Sequence, residues 1–110
     1  MHAFSRSEKR RLRDLTGVLY EREVKESLVP LARKFDEWKA GTITSLELSH
    51  ILHEYDYGES RRLWSRYGAK REDLLVALGF VRGLLTEAEI GEDLFRELRE
   101  KIDHCRELDQ

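Results

Sequence analysis

Residues 35–55 read FDEWKAGTITSLELSHILHEY, and this stretch decides the fold. One apolar stripe ends at Phe35 and Trp38, a glycine follows at Gly41, and a second stripe opens with Leu48, Ile51, Leu52 and Tyr55 at helical spacing. Thr44 is a natural N-cap, and Glu47 three residues on can reach back to the Thr44 amide, which satisfies two donors that a helix start leaves over. Gly41 suits the left-handed C-cap of the preceding helix. The stretch therefore predicts a helix-turn-helix connection at residues 40–44. The same residues place Asp36, Gly41, Ile43 and Glu47 at the first, sixth, eighth and twelfth positions of an EF-hand loop. Calcium needs roughly six to eight oxygen ligands, and the third and fifth positions hold Trp38 and Ala40, which supply none from their side chains. The turn is structural.

Upstream, Ser5 and Glu8 form another capping box, followed by Leu12, Leu15 and Leu19 on one side of a helix. From Val24 the apolar positions become Leu28, Leu31, Phe35 and Trp38, alternating steps of four and three, on a stripe rotated by more than about 90° from the first. The phase jump predicts a break near Thr16 and Gly17; one continuous helix with two buried sides is the other solution. Pro30 sits inside the second stripe, off its apolar face, and predicts a kink or a restart near Ser27.

Downstream, the Leu48 helix is expected to stop before Gly58, and a short helix over 59–67 to bury Leu63, Trp64 and Tyr67 before Gly68. Residues 70–82 are apolar around nearly the whole circumference, the mark of a central helix or one shared with a partner. Thr86 and Glu89 cap a last helix running through Ile90, Leu94, Phe95, Leu98, Ile102 and Cys105.

Composition agrees with amphipathic helices. Of 110 residues 38% are charged and 40% hydrophobic, with one proline and no sustained alternation of the kind strands require. The length suits a single domain, 1–110. The longest apolar run, residues 74–81, is far short of the roughly 20 residues that span a bilayer. A single cysteine excludes an internal disulfide, and with no apolar leader the expected location is cytoplasmic. The net charge of −2 is uneven: residues 1–20 carry five basic and two acidic groups, 59–71 five and one, and 86–110 four and nine.

Glu47, His50 and Glu54 fall on one side of their helix and are the candidate metal ligands, although no second Glu-x-x-His accompanies them. Arg10, Arg11, Arg61, Arg62 and Arg66 are the candidate nucleic-acid contacts, at basic segments 6–13 and 61–71. Leu75, Val76 and Phe80 are the candidate interaction surface. His104 and Cys105 diverge on the wheel and lack further ligands. No phosphate loop, nucleophile elbow or zinc-protease motif occurs, so neither a cofactor nor catalysis is expected.

The run KFDEWKAGTITSLELSHILHEYDYGESRRLWSRY, residues 34–67, resembles small helical bacterial proteins of unassigned function through Phe35, Trp38, Gly41, the Leu48 helix, His53-Glu54 and Arg62 to Tyr67. The resemblance implies an all-helical fold and a bacterial cytoplasmic origin, and no site residues. The expectation is an all-α, compact bundle of about five helices built around Leu28, Leu31, Phe35, Trp38, Leu48, Ile51, Leu52, Trp64, Leu74, Leu78, Leu94 and Leu98. It is expected to act as a protein-interaction or regulatory module that self-associates as a homo-oligomer, with nucleic-acid binding and metal or calcium binding as alternatives.

Overall fold

The computed structural model describes residues 4–69 and 71–108, and the regular structure among them is entirely helical. Seven α-helices occur among the described residues: α1 (Arg6–Lys39), α2 (Ser45–Tyr55), α3 (Arg61–Gly68), α4 (Glu72–Val81), α5 (Glu87–Ile90), α6 (Glu92–Glu97) and α7 (Arg99–Leu108). Their contacts gather into two compact units, residues 1–20 with 70–110, and residues 21–69. No described helix is long and apolar enough to cross a membrane.

All three capping boxes form. Ser5, Thr44 and Thr86 each accept from the amide three residues on, while Glu8, Glu47 and Glu89 accept from the cap residue's own amide. Gly41 takes the left-handed conformation, with φ of 80°, as the turn requires.

The first unit is the better filled. Leu12, Leu15 and Leu19 of α1 are buried in it, together with Leu75, Val76 and Ala77 of α4, Leu85, Ile90, Leu94, Leu98, Ile102 and Cys105. α4 packs on α7, with Asp73 3.4 Å from Lys101 near their starts and the Phe80 ring under Arg106 near their ends. Phe80 and Phe95 meet edge to face at 4.9 Å. α4 comes close to α1 at Gly79, where a methyl group would collide with the fully buried Leu19 side chain.

The second unit is a hairpin of the latter half of α1 against α2 and α3. Trp38 Nε1 donates to Ser45 Oγ at 3.0 Å near the turn, the Ser27 and Tyr55 hydroxyls lie 2.9 Å apart further along, and Glu23 meets Arg66 and Tyr67 beyond them. Its buried apolar residues are Leu31, Leu48 and Leu63.

Four local expectations change. α1 runs unbroken through Thr16, Gly17 and Pro30, so the two stripes belong to one helix, the first buried in the first unit and the second buried in the second unit at Leu31 alone. Gly58 does not stop α2; a π-turn over Asp56–Ser60 carries the helical path into α3. A π residue advances less than the roughly 100° of an α residue. Five of them therefore set Leu63 and Tyr67 on the inner side and leave Trp64 70% exposed, not in the core. The helix expected from Thr86 onward is interrupted at Gly91, whose φ of 92° no α-helix contains, and again at Leu98. Finally Leu28, Phe35, Trp38 and Leu52 remain substantially exposed, while Leu74 and Leu78 are half-buried.

Gly79→Ala tests the close approach. Helix propensity alone favours alanine by about 1 kcal/mol, whereas crowding Leu19 costs about 1–3 kcal/mol. Urea denaturation is expected to show a net loss, and the same substitution to cost less when made in a Leu19→Ala background, whose own loss of about 2–5 kcal/mol is the cavity left by the buried leucine.

Candidate interaction surface

The steps of four and three from Val24 through Leu28, Leu31 and Phe35 to Trp38 make a seam that helices use to pack along their length. α2 covers one side of it only. Leu31 is buried, yet Leu28 is 44% exposed, Phe35 37% and Trp38 40%. One neighbouring helix cannot enclose a stripe that is apolar on both flanks, so the hairpin leaves a continuous line of Leu28, Ala32 and Phe35 open, with Val24 half-buried at its end. Leu52 on α2 is open as well, and of the ten large apolar residues exposed among those described, eight lie between Leu28 and Trp64. Single exposed apolar residues are ordinary; a row of them on one helix marks a contact surface.

A second exposed row runs along the π-turn and α3. The His53 and Tyr57 rings lie 4.8 Å apart, the Arg61 guanidinium sits 4.2 Å from the Tyr57 ring centre, and Trp64 follows one turn later. Of the candidate nucleic-acid arginines, Arg62 forms a two-pronged bond to Glu59, 3.0 and 2.7 Å, which holds the Glu59 carboxyl below the usual carboxylate range. Arg66 lies inward on Glu23 at 3.1 Å, where the Tyr67 hydroxyl also donates to the same carboxylate at 2.8 Å. Arg10 is exposed and Arg11 donates to the Glu89 main-chain oxygen, both within the first unit. Lys70 of the second basic segment lies outside the described residues.

The metal candidates are not brought together. Glu47 is engaged in its capping box, while His50 and Glu54 pair with each other on the open face of α2, and no group of three or more His, Cys, Asp or Glu placed to hold a metal occurs among the described residues. The surface expected from Leu75, Val76 and Phe80 is corrected too. Leu75 and Val76 are buried and Phe80 is half-buried against Phe95, because an all-round apolar helix sits inside the first unit's own core. Cys105 is also buried, and burial raises its thiol pKa despite the opposing charge of Arg82, the reverse of what a nucleophile needs. The groove bordered by Phe80, Phe95, Arg99, Asp103 and Arg106 sets its two arginines over ring faces and balances them with Glu87 and Asp103, so it concentrates no charge.

Two features escaped sequence reasoning. The Glu23, Arg66 and Tyr67 cluster joins residues more than forty positions apart, for which the sequence carries no signal. The Tyr57, Arg61 and Trp64 row depends on the π-turn, whose only trace is a glycine that looked like a stop.

Glu23 is largely buried and accepts two side-chain donors, so its removal strands the Arg66 charge. Glu23→Ala is expected to lower stability by about 2 kcal/mol, and a double-mutant cycle with Arg66→Ala to give a coupling of about 1 kcal/mol.

No family model, curated protein or solved structure matches the chain.

Proposed function

We propose that this is a small helical protein-interaction or regulatory module of the cytoplasm, acting by contact and not by catalysis, through the open apolar side of the second unit. The observation that carries this is the half-covered seam: Leu28, Phe35 and Trp38 continue the stripe that buries Leu31, yet stay between 37% and 44% exposed. Burying such side chains stabilises an assembly by about 25 cal/mol per Å² of apolar area removed from water. Lys25 and Lys39 are exposed on the same side of α1 as Leu28 and serve as cross-linking handles. Amine cross-linking in cell extract is expected to join them to another polypeptide, a second copy or a different protein. Leu28→Asp with Phe35→Asp is expected to abolish those links while helicity is kept. Links confined to the chain itself would remove this function.

A second reading rests on the Tyr57, Arg61 and Trp64 row. Flat exposed rings beside a guanidinium are the elements with which proteins stack the bases of single-stranded nucleic acid. Trp64→Ala and Arg61→Ala are each expected to weaken binding of a mixed-sequence oligonucleotide by roughly tenfold, with affinity falling steeply as salt rises. Absence of binding at low salt would end this alternative.

A further inference from the structure

We infer that the partner on the open seam of α1 is a second copy of the same seam, running antiparallel and related by a twofold axis passing close to Pro30. The inference rests on the proposed role of that apolar side as a contact surface, and adds the identity and register of what covers it.

Charge complementarity supports it. Taken at about 100° per residue, Glu21, Lys25, Asp36 and Lys39 all lie within about 80° of Leu28 on the open side of the helix. All four are exposed, and none forms an ion pair among the described residues. Laid antiparallel about residue 30, Glu21 meets Lys39 of the second copy and Lys25 comes within one residue, about 1.5 Å of axial rise, of its Asp36. A twofold interface repeats each contact, so two kinds of pair become four pairs of opposite sign. Side-chain size matches as well. The same register sets Leu28 against the small Ala32 and brings Val24 within one residue of Phe35, the larger side chain facing the smaller at both places. Pro30 itself points to the far side of the helix, about 160° from Leu28, and does not enter the seam.

A parallel arrangement fails the same comparison, because it sets Lys25 beside Lys25 and Asp36 beside Asp36. The antiparallel seam extends about 27 Å along α1, from Glu21 to Lys39, and encloses few apolar side chains per copy. The dimer is accordingly of the weak, concentration-dependent class.

Sedimentation equilibrium of the intact chain over a concentration series tests the assignment. The wild-type chain is expected to show reversible monomer-dimer exchange in the micromolar range. Lys25→Glu and Asp36→Lys are each expected to raise the dimer dissociation constant by roughly tenfold at low salt, since each change acts twice across the axis. The double variant Lys25→Glu with Asp36→Lys is expected to return near the wild-type value. That rescue is specific: within one chain the double variant places like charges at positions 21 and 25, and again at positions 36 and 39, so only the second copy can supply the restoring attraction. Both changes are at exposed positions, and circular dichroism is expected to show unchanged helicity in all three variants. A wild-type monomer at high micromolar concentration, or a double variant no better than the single ones, would overturn the twofold pairing. A monomer whose Lys25 and Lys39 still cross-link to a different protein would refute self-pairing while leaving the contact role of the surface in place.

Discussion

Thr44 and Glu47 exchange hydrogen bonds across the start of α2, at 3.0 and 3.2 Å, and the second unit depends on that exchange. With Gly41 in its left-handed conformation, it ends one helix and begins the next within a few residues. The chain must then fold back along α1. Once the turn is set, Trp38 reaches Ser45, the Ser27 and Tyr55 hydroxyls approach, and Glu23 is placed to receive Arg66 and Tyr67.

A hairpin has one interhelical seam, and this constraint governs what remains exposed. The first unit surrounds its central α4 with α7 and the first half of α1, so its apolar residues find partners on several sides. The second unit has only one layer against the latter half of α1. Leu31, Leu48 and Leu63 fill the seam, and the flanking Leu28, Phe35 and Leu52 are left partly in water. Burial on one side is the cause of exposure on the other, since a stripe built of alternating steps of four and three has two flanks.

Interruptions of helix regularity redirect side chains without breaking the helical path. The π-turn at Asp56–Ser60 rotates α3 so that Leu63 and Tyr67 face α1, and this same rotation turns Trp64 outward beside Tyr57 and Arg61. Gly91 acts differently, ending α5 and beginning α6 at one residue, which lets Ile90 and Leu94 both reach the core.

The three capped helix starts and the turn at residues 40–44 were legible in the sequence, because each depends on residues within about four positions of one another, whereas the continuity of α1 through Gly17, the path past Gly58 and the interruptions after Thr86 were not. So was the all-α class, carried by the spacing of Leu12, Leu15 and Leu19 and of Leu48, Ile51 and Tyr55. Which flank of each stripe is buried was not legible. Leu28 and Leu31 are equivalent on a helical wheel drawn for an amphipathic helix, and only the position of α2 sets one in water and the other in the core. The same holds for Leu75 and Val76, which a wheel cannot distinguish from a contact surface and which the packing of α4 encloses. For Trp64 the decision lay in five π residues upstream, and for Glu23 in a partner forty-three positions away. Local hydrogen bonding sets where helices start and stop, whereas burial is a property of neighbours that only the folded chain brings together.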